Sequence, residues 1–145
     1  MARKLRAASR PLNLFISHSS RDRIFVERIV YELRRHGLAC WYAPSEILGA
    51  QQWQDEIGRA LRRCNWFIIV LSRNALRSKW VKRELAYVLD DNRYDGRILA
   101  IVKTPGDYSG LSWTLSAIQQ VDFSGKFSDG FVSLLRVWGV IYQRD

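Results

Sequence analysis

Cysteine and histidine are scarce in this chain, which has two of each among its 145 residues. Cys40 and Cys64 form no CxxC pair, and each lies in or next to an apolar segment, where a single cysteine is usually a small buried hydrophobe. The sequence therefore predicts no disulfide framework and no zinc site. With His18 and His36 as the only histidines, a His-rich metal site cannot be assembled. We expect no metal and no resident cofactor.

Long apolar runs are also missing. No stretch reaches the length of about 20 residues that a membrane span requires. The apolar segment from Leu12 to Ile16 is too short to be the core of a signal peptide. The sequence thus predicts a cytoplasmic location without a membrane partner.

Several enzyme motifs are absent as well. The chain has no GxGxxG or GxxxxGK[ST] loop, so neither a dinucleotide fingerprint nor a P-loop is available. It has no HExxH motif and no GxSxG elbow. His18, Ser19 and Ser20 are neighbours on a predicted loop, which is no evidence for a Ser–His hydrolase.

Positive charge exceeds negative charge, with 23 Lys and Arg against 14 Asp and Glu and a net charge of +9. The first ten residues contain four cations and no anion, which predicts a basic flexible tail at 1–10 before one domain at 11–145. A nucleic-acid or polyphosphate partner would suit this charge. Because no basic strand interleaved with aromatics and no DNA-reading helix accompanies it, we do not expect the domain itself to bind nucleic acid.

Apolar segments alternate with amphipathic ones along the rest of the chain. Five strands are predicted, at residues 12–17, 38–42, 66–71, 97–102 and 118–123. Four helices are predicted, from about residue 22 to 36, around Trp53 to Leu61, from Ser78 to about Asp91, and from Phe127 to Val140. This alternation predicts an α/β fold: a flavodoxin-like, five-stranded parallel sheet of order 2-1-3-4-5 with helices on both faces.

In such sheets ligands bind beyond the carboxyl ends of the strands, at the switch point between strands 1 and 3. The loops there are residues 17–21 and 72–78, and Glu84 lies on the helix that follows the second loop. Glu84 falls at the edge of the apolar stripe of that helix, on the same side as Trp80 and Tyr87. This position suits either a functional carboxylate or an ordinary boundary residue.

Three blocks of the sequence resemble Toll/interleukin-1 receptor (TIR) domains, especially bacterial ones. The first is Phe15-Ile16-Ser17-His18-Ser19-Ser20-Arg21-Asp22, and the second is Cys40-Trp41-Tyr42-Ala43-Pro44 with Gly49 and Trp53. The third joins Leu71-Ser72 to Ser78-Lys79-Trp80-Val81 and Glu84-Leu85. The resemblance extends from about Leu12 to Trp138.

The resemblance implies an NAD⁺ glycohydrolase or cyclase, with NAD⁺ as substrate. Trp80 and Glu84 match the family's W-x-x-x-E pattern, which makes Glu84 the expected catalytic carboxylate. The other expected substrate-binding residues are Ser17, His18, Ser19, Ser72 and Trp80. Each has a purely structural alternative, as a strand-end cap, a core residue or a loop residue.

The resemblance also implies homotypic TIR–TIR assembly that activates the enzyme. The expected assembly loop consists of Ala43, Pro44, Ser45, Glu46, Ile47, Leu48 and Gly49. A bacterial immune, antiphage or cell-death pathway and a fused or associated sensor domain are further expectations of this kind. The alternative function is a non-enzymatic scaffold.

The chain departs from the family pattern at three places. Asn13 and Ala43 replace frequent acidic residues, and the loop lacks the Arg-Asp-x-x-Pro-Gly pattern of animal receptor adaptors. These departures disfavour a role in receptor signalling.

Overall fold

The computed structural model describes residues 13–43 and 50–144. Within them, five strands form one parallel sheet of order β2-β1-β3-β4-β5. The strands are β1 (Leu14–Ser17), β2 (Cys40–Tyr42), β3 (Trp66–Leu71), β4 (Ile98–Val102) and β5 (Gln119–Asp122). The predicted fold class and strand order are confirmed.

The helices that cover the sheet are α1 (Arg23–Arg35), α2 (Ala50–Arg63), α3 (Lys79–Leu89) and α4 (Phe127–Val137). Their ends follow local sequence signals. Ser78 caps α3, because its side-chain oxygen accepts a hydrogen bond from the backbone N–H of Val81 at 3.2 Å. Gly37 lies just beyond α1 with φ of +79°, a conformation that glycine adopts without strain.

Side chains alternate across the sheet, and this alternation divides the core into two layers. Leu14 and Ile16 of β1 face the same layer as the buried residues of α1 and α4. Phe15 faces the other layer, where it packs with the buried residues of α2 and α3. β3 contributes three residues to each layer and is buried along its whole length, as its apolar sequence predicted.

Most elements are slightly shorter than their sequence patterns, whereas β3 matches its pattern and α2 extends beyond Trp53 and Leu61. β2 begins at Cys40 instead of Leu38, and α4 ends at Val137 instead of Val140. Gly139, with φ of +69°, turns the chain away from the α4 axis. β5 lies at the sheet edge, and only Val121 of its four residues is buried. The predicted basic tail and loop residues 44–49 lie outside the described residues.

Strand register brings the two predicted loops together. Ser17 at the end of β1 pairs with Ile69 of β3, so the chain leaves both strands at the same edge of the sheet. Short 3₁₀ turns follow at Ser20–Asp22 and Ala75–Arg77. Of the helices in the described part of the chain, none is long and apolar enough to cross a membrane.

Candidate active site

Glu84 is buried in the middle of α3, with only 6% of its surface exposed. Val81, Leu85 and Val88 on the same helix pack into the core and hold α3 against the sheet. The Oγ of Ser17 donates a hydrogen bond to Oε1 of Glu84 at 2.6 Å. Because Ser17 follows Phe15 by two residues, it points to the same face of β1, under α3. The sequence placed Glu84 at a helix edge, whereas the packing encloses it.

Burial determines the charge state of Glu84. It raises the pKa of this carboxyl to about 8, although the hydrogen bond from Ser17 acts in the opposite direction. At neutral pH the carboxyl of the free protein is therefore mostly protonated. A positive charge placed beside it would favour the ionised form, because opposite charges a few ångströms apart lower the pKa of a carboxyl.

Glu84 opens onto a cavity of about 550 Å³ at the carboxyl ends of β1 and β3. Among the lining residues that the structure describes, four are cations and Glu84 carries the one carboxyl group. The lining residues are Phe15, Ile16, His18, Ser19, Ser20, Arg21, Arg23, Trp41, Ala43, Asn74, Arg77, Ser78, Lys79, Trp80 and Glu84. The cavity therefore combines one buried acidic group with a basic wall formed by Arg21, Arg23, Arg77 and Lys79.

His18 and Ser19 line the cavity on the β1 side. Nδ1 of His18 lies 3.5 Å from the carbonyl oxygen of Ile16, and burial lowers the pKa of the imidazole. His18 is therefore a neutral lining residue and adds no further positive charge. Ser19 accepts a hydrogen bond from the backbone N–H of Arg21 at 3.3 Å, which caps the turn after β1.

Two tryptophans give the cavity flat apolar walls. Trp41 of β2 stacks on Phe15, with ring centroids 4.9 Å apart. Trp80, at the second position of α3, is half-buried, and the guanidinium of Arg83 lies 5.3 Å from its ring centroid. Rings in these positions can pack against the flat face of a heterocycle.

The structure brings most of the predicted site residues together. One cavity is lined by His18, Ser19, Trp80 and Glu84. Ser17 is hydrogen-bonded to Glu84. Ser72 is not among the lining residues. Its Oγ donates a short hydrogen bond to Oδ2 of Asp22.

Ala43, the first residue of the predicted assembly loop, also lines the cavity. Its carbonyl oxygen accepts a hydrogen bond from Nη1 of Arg23 at 2.8 Å. This contact joins the start of the loop to the first turn of α1. The other six residues of that loop, Pro44–Gly49, lie outside the described residues.

The sequence did not single out Asp22, Asn74, Arg77 or Lys103 as site residues, although they lie in or behind the cavity wall. Asp22 and Arg77 do follow strands at the switch point, a position that marks them as neighbours of a ligand site. Lys103 follows β4, and nothing in its local sequence indicates a long-range ion pair with Asp22.

Comparison with known proteins agrees with this fold. The model of the TIR domain family matches residues 14–135. A stretch of 84 residues, 57% of this chain, is 34% identical to the NAD(+) hydrolase TcpC of Escherichia coli O6:H1 (strain CFT073). A stretch of 91 residues, 62% of the chain, is 26% identical to the protein named Probable 2′ cyclic ADP-D-ribose synthase TcpO of Methanobrevibacter olleyae. Each match spans 27% of the length of the relative.

Solved structures show the same fold. The TIR domain of the Toll-related receptor TRR-2 from Hydra magnipapillata superposes with a TM-score of 0.70 at 19% identity, covering 86% of this chain and 96% of that one. The TIR domains of the activated Roq1 resistosome superpose with a TM-score of 0.65 at 16% identity, covering 87% and 98% of the two chains.

Proposed function

This chain belongs to the TIR domain family, and we propose that it cleaves the bond between nicotinamide and ribose in NAD⁺. The burial of Glu84 at the base of a cation-lined cavity is the observation that carries this proposal. The names of the two curated relatives, an NAD(+) hydrolase and a cyclic ADP-ribose synthase, support the same chemistry.

The charge distribution of NAD⁺ matches that of the cavity. Its nicotinamide ring carries a positive charge, which would favour ionisation of Glu84 when the ring lies beside the carboxyl. Its pyrophosphate carries negative charge, which the guanidinium groups of Arg21, Arg23 and Arg77 and the ammonium of Lys79 can neutralise. Trp41 and Trp80 provide flat surfaces for the rings.

The reaction itself needs little acid–base assistance. The bond between C1′ of the ribose and the ring nitrogen breaks, and its electron pair goes to the nitrogen, so nicotinamide leaves as a neutral molecule. Positive charge then develops on the ribose, as in glycoside hydrolysis. The ionised carboxylate of Glu84 stabilises that charge in a buried setting, where such interactions are strong. Water adds to C1′ and releases a proton, which gives ADP-ribose.

Attack by a hydroxyl group of the substrate itself, instead of water, would give a cyclic product by the same bond cleavage. Both outcomes use the same role for Glu84. The neutral His18 can accept or donate one hydrogen bond to the ribose or to the attacking group, depending on its tautomer. Chromatographic identification of the product distinguishes hydrolysis from cyclisation.

We further propose that self-assembly activates the enzyme. Ala43 lines the cavity and leads directly into the predicted assembly loop, so a neighbouring copy that contacts this loop can alter the cavity. A bacterial immune or cell-death pathway, a cytoplasmic location and an associated sensor domain belong to the same proposal, and they are supported by the sequence resemblance alone.

The test is NAD⁺ consumption with chromatographic analysis of the products. It compares the wild type with Glu84→Gln, each free in solution and under forced clustering. We expect nicotinamide release from the clustered wild type and a loss of at least about 100-fold in Glu84→Gln, because a buried electrostatic contact of this kind is worth that factor or more. Asp129→Asn, which changes an exposed carboxylate on α4, serves as the control.

No consumption by the clustered wild type would contradict the proposal and favour the scaffold function. Full, concentration-independent activity of a demonstrated monomer would contradict the assembly part alone.

A further inference from the structure

At the cavity wall, a polar cluster that the proposed reaction does not use surrounds the buried carboxylate of Asp22. The carboxylate of Asp22, whose side chain is fully buried, accepts hydrogen bonds from three side chains. Lys103 donates through Nζ at 3.0 Å and Asn74 through Nδ2 at 3.1 Å, both to Oδ1, and Ser72 donates to Oδ2. We call these four residues the Asp22 cluster.

The cluster joins segments that follow three different strands. Asp22 ends the turn after β1, Ser72 and Asn74 follow β3, and Lys103 follows β4. Ser72 is also fixed to its own loop, since its Oγ accepts a hydrogen bond from the backbone N–H of Ala75 at 3.1 Å. The carboxylate of Asp22 is therefore the common point at which these segments meet.

Residues next to the Asp22 cluster in the chain contribute to the basic wall of the cavity. Arg21 and Arg23 flank Asp22 in the turn after β1. Asn74 and Arg77 lie on the segment after β3. All four residues line the cavity, whereas Asp22 does not. The relative position of these cations thus depends on the bonds within the cluster. Glu84 is held separately, by Ser17 and by the packing of α3.

The carboxylate of Asp22 carries its charge inside the protein. Burial by itself would raise its pKa, but the hydrogen bonds from Ser72, Lys103 and Asn74 outweigh burial and hold the pKa below its ordinary value. A buried carboxylate that loses one of its partners is strongly disfavoured. The cluster therefore favours one arrangement of the two loops over alternatives.

We infer that Asp22 is a positioning residue that aligns the cations of the two loops for the pyrophosphate of the substrate, an inference that rests on the proposed function. Its contribution lies in substrate binding, and the bond-breaking step at Glu84 is independent of it. Removal of the cluster should therefore weaken the apparent affinity for NAD⁺ while leaving turnover nearly intact.

The experiment measures KM and kcat for NAD⁺ on clustered protein for Asp22→Asn, Lys103→Met and Lys103→Arg, with Asp129→Asn as the matched control. We expect KM to rise about tenfold in Asp22→Asn and Lys103→Met, with kcat within about threefold of the wild type, because misplaced binding groups weaken substrate binding. Lys103→Arg should retain a KM near the wild-type value, since it keeps the charge and a donor. Because Lys103 is 34% exposed, Lys103→Met tests the same contact if Asp22→Asn does not fold.

A purely structural role predicts a different result. It would lower the folded fraction and hence the apparent kcat, with KM unchanged, and that outcome would overturn the inference. An equal increase of KM in Lys103→Met and Lys103→Arg would also overturn the inference.

Amide hydrogen exchange on free protein separates failure of this inference from failure of the proposed function. If the wild type cleaves no NAD⁺, the proposed function fails. Faster exchange confined to residues 19–23 and 74–78 in Asp22→Asn, relative to Asp129→Asn, would still support the alignment of the two loops by the cluster. Unchanged exchange in both segments would refute it.

Discussion

Ser17 and Glu84 form a buried pair that joins the end of β1 to the middle of α3, with 2.6 Å between Oγ and Oε1. The serine hydroxyl is the hydrogen-bond donor to this carboxyl, and burial raises the pKa of the carboxyl to about 8. The carboxyl is therefore mostly neutral near pH 7, and a cation beside it would lower its pKa.

The rate of NAD⁺ cleavage should depend on pH through Glu84. Because the reaction needs the ionised carboxylate, kcat/KM should rise about tenfold per pH unit below pH 8 and level off above it. In the complex with NAD⁺, the nicotinamide cation lowers the pKa of Glu84. The rise of kcat with pH should therefore occur at lower pH than the rise of kcat/KM. Initial rates of clustered protein between pH 5.5 and 9 give the pH dependence of both kcat/KM and kcat. A kcat/KM that is flat between pH 6 and 8 would contradict this assignment.

Replacement of Ser17 by Ala should move that pH profile. The change removes the hydrogen bond that favours the ionised form, so the pKa of Glu84 rises further and the acidic limb of kcat/KM shifts to higher pH. Activity at pH 7 should therefore fall more than activity at pH 9. Ser116→Ala, at an exposed serine, should leave the profile unchanged. A uniform loss at every pH would instead indicate direct contact of Ser17 with substrate.

Glu84 should make the folded state less stable as pH rises. Its pKa is about 8 in the folded protein and near 4.5 when unfolded, so between these values the folded state holds one proton more. The free energy of unfolding of the wild type should therefore decrease by about 1.4 kcal/mol per pH unit relative to Glu84→Gln. Urea unfolding of both proteins at pH 5, 6, 7 and 8 measures this difference. If the free energies of unfolding of the two proteins run parallel from pH 5 to pH 8, Glu84 is ionised in the folded protein over that whole range.

Arg77, at the end of the 3₁₀ turn before α3, and Lys79, the first residue of α3, should act on substrate binding. The double change Arg77→Gln and Lys79→Gln removes positive charge from the cavity wall, and should raise KM for NAD⁺ about tenfold and weaken the dependence of KM on salt. The pair Arg62→Gln and Arg63→Gln, at the exposed end of α2, changes net charge by the same amount outside the cavity. Equal effects of the two pairs would indicate that only net charge matters.

Gly130 should be required for packing of α4 on the sheet edge. A Cβ atom at this position would lie 2.8 Å from Cγ of Phe123 and 2.9 Å from the carbonyl oxygen of Asp122. Gly130→Ala should therefore lower the free energy of unfolding by about 1–3 kcal/mol. At Gly58 on α2, the one contact that a Cβ would make with the described residues is with the end of the Arg62 side chain at 3.4 Å. Gly58→Ala should therefore be stabilising by about 0.5–1 kcal/mol. Thermal or urea unfolding of both variants and the wild type measures these differences in the free energy of unfolding.

The order of elements, the two-layer core and the strand order could all be predicted from the sequence. The unbroken apolar runs of β1 and β3 predict strands that are buried on both faces. The spacing of Val81, Leu85 and Val88 states which face of α3 is buried. Glycine and capping serine mark the ends of α1 and α3. Element ends and buried faces are local features, so a linear sequence contains them. The strand order was predicted from the alternation of strands and helices and from the usual order of such five-stranded parallel sheets.

Periodicity and the switch-point topology drew attention to Glu84, and the resemblance to TIR domains implied its catalytic role and the other candidate site residues. The periodicity gave Glu84 only an edge position on its helix. Only the tertiary structure decided that Glu84 is enclosed and bonded to Ser17, residues separated by 67 positions in the chain. It also decided that Ser72 bonds to Asp22 and that Lys103 reaches the same carboxylate across 81 positions. Charge state and partner choice depend on which strand ends meet in space, and that is a property of the packed sheet that no local pattern contains.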